Sequence, residues 1–100
     1  MISSKYTETI SSPKFLNFFR TFLKLRTEEE ITKFLLDLMT IKELETFASR
    51  WQVAEMLHEG RPYTEIERLT GLSSATIARV SESLQYGHDG YKIVFDRLNK

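Results

Sequence analysis

Residues 63–84, YTEIERLTGLSSATIARVSESL, restrict the fold more than any other stretch, because two short runs of helically spaced apolar residues meet there across a single glycine. A chain that passes from one helix to another within three residues needs a position at positive φ. Glycine adopts that conformation without a Cβ clash, which places the turn at Gly71. Ile66 before the turn and Leu72, Ile77 and Val80 after it then fall where the two helices must bury each other. Ser73 precedes the second run and has the hydroxyl chemistry of an N-cap. The spacing predicts a helix-turn-helix over residues 63–85.

The remaining apolar runs share the 3.6-residue period. Ser12 and Pro13 read as an N-cap and a first-turn proline ahead of Phe15, Leu16, Phe18, Phe19, Phe22, Leu23 and Leu25. Thr27 with Glu30, and Thr40 with Glu43, have capping-box spacing. They predict one helix to about Leu38 with Ile31, Phe34, Leu35 and Leu38 inward, and another from Ile41 to about Glu59 with Leu44, Phe47, Ala48, Trp51, Ala54 and Leu57 inward. Gly60 stands where that helix should stop. A last helix over 90–99 carries Ile93, Val94 and Leu98. No alternating stretch competes for a strand, so the class is all-α with six helices.

Residues 1–11 carry few apolar side chains and read as a flexible amino-terminal arm, and 12–100 as a single helical domain. The first helix has more large apolar side chains than one face of a small monomer needs. That excess points to burial in a partner subunit, a core helix of a monomer being the alternative; the homodimer reading takes residues 12–60 as the dimerisation helices and Phe15, Phe18, Phe19, Phe22, Leu23 and Phe34 as its core.

Charge must be read by segment, since fourteen Lys and Arg balance fourteen Asp and Glu over the 100 residues. Residues 1–26 hold five cations against Glu8, a net of +4, whereas residues 27–60 hold three cations against eight carboxylates, a net of −5. Residues 61–86 are neutral, with Arg61, Arg68 and Arg79 matched by Glu65, Glu67 and Glu82. The balance excludes a strongly basic nucleic-acid coat protein and an acidic disordered tail. Apolar stretches are short and broken by charges, so neither a membrane span nor a signal segment is expected, and a cytoplasmic location follows by default. With no cysteine and two isolated histidines, His58 and His88, no metal site is expected. No nucleophile and base set or phosphate-binding loop is present either, so no catalytic residue is assigned and the chain is not expected to be an enzyme.

The small and hydroxylic side chains Ser73, Ser74, Ala75 and Thr76 open the second helix of the motif, where free N–H groups and the helix dipole favour a phosphate. Ala75 suits a thymine methyl, and Ser74 or Thr76 a base edge or phosphate. Arg61, Thr64, Arg68 and Arg79 flank them, and the whole set is the candidate surface for double-stranded DNA. The competing class is a helical protein-interaction module, adaptor or antitoxin-like, in which the motif serves packing alone.

FASRWQVAEMLHEGRPYTEIERLTGLSSATIARVSESL resembles the Trp-repressor family, and the following QYGHDGY is similar to its YerC/YecD group. The resemblance implies an intertwined all-α homodimer that binds palindromic operators as a transcriptional regulator. It further implies an amino-acid corepressor, the one small-molecule effector expected, held at the positions matching Thr40, Arg50, Arg79 and Ser83. The chain departs from the family's tryptophan binders at Val80, where they have glycine, so the slot for an indole is narrowed or filled. Asp37 replaces an apolar residue near the matching edge, which favours a more polar amino acid such as histidine; a regulator acting without a corepressor is equally compatible.

Overall fold

The computed structural model describes residues 4–99, with side chains from Tyr6 onward. Among them lie seven α-helices and no strand: α1 (Ser4–Ile10), α2 (Pro13–Thr21), α3 (Glu28–Leu38), α4 (Ile41–His58), α5 (Tyr63–Thr70), α6 (Ser74–Tyr86) and α7 (Gly90–Leu98), with a 3₁₀ turn at Phe22–Lys24. Two compact units result, Met1–Leu44 and Glu45–Lys100. Among the described residues no helix is long and apolar enough to cross a membrane.

In the first unit, α1 occupies most of the stretch expected to be an arm, whose residues 1–3 lie outside the described residues. It is closed by Ser11 N–H on the Thr7 carbonyl at 3.1 Å and packs against α2, so local hydrogen bonds and this contact make up for its thin apolar content. It is the helix that raises the expected six to seven. Ser12 stands at the N-cap position of α2 and Pro13 opens the helix, but the serine side chain makes no capping bond. The phenylalanines that follow form a ladder, with ring centroids 5.4 Å apart for Phe18 and Phe22 and 5.9 Å for Phe22 and Phe34. No residue of α2, the 3₁₀ turn or α3 is buried, and Leu23 is 82% exposed.

One capping box forms in full and the other in half. Thr27 Oγ1 accepts the Glu30 N–H at 3.1 Å, while the Glu30 carboxylate takes the Arg26 N–H at 2.8 Å. At the head of α4 the exchange is fully reciprocal: Thr40 Oγ1 accepts the Glu43 N–H at 3.1 Å and Glu43 Oε1 accepts the Thr40 N–H at 2.8 Å. These bonds satisfy donors that the helix start leaves without partners.

The core lies in the second unit and consists of Val53, Ala54, Ile66, Ile77, Val80 and Phe95. Ile66 and Ile77 are fully buried, as the turn spacing required, and Leu72 packs against them. On α4 Ala54 is buried and Trp51 and Leu57 pack against the core as expected; Val53 is buried beside them, whereas Phe47 and Ala48, expected inward, are exposed. On α7 the inward residues are Phe95 and, in part, Tyr91, while Ile93, Val94 and Leu98 face outward. The reason is aromatic packing. Phe95 lies between Trp51 at 5.0 Å and His58 at 4.1 Å, both rings nearly parallel to it, and this ties α7 to α4.

Two expected outcomes follow. Gly71 (φ 73°) has open space where a Cβ would stand, as does Gly90, which is not at positive φ. Gly71→Ala should therefore cost about 1–2 kcal/mol through backbone conformation alone, while Gly90→Ala should be neutral or stabilising, as denaturant titration of both variants checks. Glu43 is held below the ordinary carboxylate range by the Thr40 backbone N–H first and the Thr40 hydroxyl second. A group whose pKa falls on folding stabilises fully above its unfolded value and loses that contribution as pH drops through its folded value. The stability difference between wild type and Glu43→Gln should thus shrink on acidification from neutral pH to below the lowered Glu43 value, measured by melting at each pH.

Candidate nucleic-acid interface

The helix-turn-helix is built by short hydrogen bonds. At the end of α5 the Gly71 N–H reaches the Glu67 carbonyl at 2.8 Å, Thr70 Oγ1 donates to the Ile66 carbonyl at 2.7 Å, and the same oxygen accepts the Leu72 N–H at 3.2 Å. Ser73, in extended conformation, caps α6 by accepting the Thr76 N–H at 3.2 Å, with the two hydroxyls 3.1 Å apart. Ile77 and Val80 turn inward, so Ser74, Ala75, Ala78 and Arg79 face solvent.

The first turn of α6 holds no acidic residue, which leaves its N–H groups and positive dipole end uncompensated by carboxylates of that turn. Of the candidate DNA-facing residues, Thr64, Arg68, Ser73, Ser74, Ala75 and Arg79 are exposed, and Thr76 is half-buried by its part in the cap. Arg68 and Arg79 make no ion pair among the described residues. Arg61 differs: its Nε meets Glu59 Oε1 at 3.0 Å and its Nη1 meets Glu65 Oε1 at 3.2 Å. The four-residue spacing of Arg61 and Glu65 signals that pairing in the sequence; the Glu59 contact depends on the turn between the helices.

The positions matching a corepressor site are dispersed by role. Thr40 belongs to the first unit and its hydroxyl serves the α4 cap. Arg50 is exposed, with its guanidinium 5.7 Å from the Phe47 ring centre and no ion pair among the described residues, so it forms no salt bridge with Glu43 or Glu45. Arg79 and Ser83 share one face of α6, a turn apart, and both are exposed. Val80 is 4% exposed and belongs to the core. A separate cleft of about 540 Å³, which the residue pattern did not reveal, opens among the end of α4, α5, α6 and α7; Leu57, His58, Leu84, Lys92, Phe95 and Asp96 are among its walls. Among the described residues no group of His, Asp or Glu could hold a metal ion.

Residues 14–99 match the Trp repressor protein family. Over 82 residues the chain is 45% identical to YerC of Bacillus subtilis (strain 168), described as an uncharacterised protein; the match covers 82% of this chain and 79% of YerC. The crystal structure of a TrpR-like protein from Eubacterium eligens ATCC 27750 is similar at a TM-score of 0.87 and 40% identity, covering 92% of this chain and 95% of that one. That of a candidate Trp repressor from Staphylococcus aureus is similar at 0.88 and 38% identity, covering 97% and 96%.

Because Ser73 supplies the side-chain acceptor at the start of α6, Ser73→Ala should destabilise the chain by about 1 kcal/mol, and Ser73→Asp or Ser73→Asn should retain most of that stability in urea titrations.

Proposed function

The chain belongs to the Trp repressor family, and from that footing we propose that it is a transcriptional regulator that binds double-stranded DNA sequence-specifically as a homodimer on palindromic operators. The observation that carries the reading is the start of α6: a capped helix N-terminus without acidic residues, presenting the small side chains Ser74 and Ala75 beside the unpaired cations Arg68 and Arg79. Small residues let the helix end approach the phosphate backbone and the floor of the major groove, and a guanidinium in that position reaches phosphate or guanine. Two such heads related by a two-fold axis would read two half-sites a helical turn apart.

Homodimer formation is supported by the first unit. A phenylalanine-rich segment in which no residue of α2 or α3 is buried, and which exposes Phe19, Phe22 and Leu23, gains most from covering by a second apolar surface. A second copy provides that surface symmetrically. The neutral charge of residues 61–86 then acquires a meaning: each head attracts phosphate weakly, and affinity depends on engaging two at once.

In-vitro selection from random-sequence duplex tests the proposal, and a palindrome should be enriched. With Arg68 and Arg79 from each of two subunits on phosphates, the log–log salt slope for the selected duplex should be roughly −4. Absence of any enriched palindrome, with a stoichiometric protein partner recovered instead, would leave the helix-turn-helix as a packing device. Repeating the selection with an amino-acid mixture tests the corepressor: an amino acid held by Arg50 and Arg79 should raise the melting temperature of the wild type and not of Arg79→Ala.

A further inference from the structure

Arg61 stands at the joint between α4 and α5, and both its backbone and its side chain are engaged there. Helix α4 ends in a Schellman arrangement: Gly60 has φ 83°, its N–H reaches the Leu57 carbonyl at 3.0 Å, and the Arg61 N–H reaches the Met56 carbonyl at 3.1 Å. The next residue, Pro62, is the extended N-cap of α5, and its carbonyl accepts the N–H groups of Glu65 and Ile66 at 3.1 and 3.2 Å. Across this joint the Arg61 guanidinium reaches Glu59, just beyond α4, and Glu65, in the first turn of α5. A planar fork with several fixed donors can hold two carboxylates at once; a lysine ammonium on the same stem does so less rigidly.

We infer that Arg61 is a positioning residue for the DNA-reading helices rather than a phosphate contact. Two carboxylates on one guanidinium leave the trio with a net charge of −1, so it has no net attraction for a phosphate. What the trio does have is a grip on both sides of the joint. Helix α5 is packed to α6 through the fully buried Ile66 and Ile77, so the direction in which α5 leaves the joint sets where α6 presents Ser74, Ala75 and Arg79. Glu59 and Glu65 belong to the same device, although their charge alone would be counted against DNA binding. The inference rests on the DNA-binding reading above.

The test uses the full chain, the selected duplex and a scrambled duplex, with Arg61→Gln, Arg61→Lys and Glu65→Gln. Amide hydrogen exchange over residues 59–66 is read without DNA, and both affinities are followed from about 50 to 200 mM salt. Positioning predicts faster exchange at the joint in Arg61→Gln and Glu65→Gln, and a loss of about two- to fivefold in affinity for the selected duplex in both, as befits a half-exposed ion-pair network. Affinity for scrambled duplex and the salt slope should stay unchanged, and Arg61→Lys should not restore binding. A phosphate contact predicts otherwise: Arg61→Gln would flatten the slope by about 2 per dimer and weaken scrambled duplex in parallel, Arg61→Lys would rescue, and Glu65→Gln would bind more tightly than wild type. Any of these overturns the inference, as does a lowered melting temperature with both affinities intact. Unchanged exchange at residues 59–66 overturns it whether or not a duplex is enriched, so its failure is separable from failure of the DNA-binding reading.

Discussion

The burial of Ile66 beneath Ile77 and Val80 is the contact on which the remainder of the second unit depends. Helix α5 has eight residues, too few to persist alone in water, and α6 has thirteen, which is marginal. Their stability comes from the apolar face they share with Val53 and Ala54 of α4 and Phe95 of α7. Removing water from that face also determines the opposite one. Once Ile77 and Val80 are inside, the 3.6-residue period leaves Ser74, Ala75, Ala78 and Arg79 outside, and the candidate DNA-facing surface is the complement of the core.

Hydroxyl chemistry does two kinds of work on this frame. Ser73 and Thr76 are tied to each other and to the helix start, and Thr40 performs the same service for α4. Ser74, one position further on, is exposed and takes no part in the cap. Residue type alone does not separate these roles; the hydrogen bonds do. The cations divide in the same way, with Arg61 held by two glutamates and Arg68 and Arg79 unpaired among the described residues. The neutral total over residues 61–86 therefore conceals an uneven surface. Two of the three positive charges are available, and a share of the negative charge is spent on the joint between α4 and α5.

The first unit shows the opposite economy of burial. Helix α3 is capped and the phenylalanine rings are in contact, yet no residue of α2 or α3 is fully buried within the chain. Thr27 and Thr40 define where α3 and α4 begin, which is a local matter, but an apolar ridge carrying Phe19, Phe22 and Leu23 gains its stability from whatever covers it. A homodimer meets that requirement by the reading proposed above, and it would bring two copies of the helix-turn-helix onto one duplex.

The helix starts at Thr27, Thr40 and Ser73, the turn at Gly71, the stop at Gly60 and the all-helical class were legible in the sequence, because each is decided by atoms within four or five residues of one another: a hydroxyl and an N–H three positions on, or a glycine that can take positive φ. Tertiary structure alone decided that Val53 and not Phe47 joins Trp51, Ala54 and Leu57 on the inward side of α4, and which residues of α7 hold it down, choosing Phe95 over Ile93 and Leu98. It also decided that the guanidinium of Arg61, in the joint before α5, reaches back to Glu59 as well as forward to Glu65. Burial and charge pairing are properties of neighbours in space, and helical periodicity offers several apolar faces of similar width among which only packing against a second element can choose.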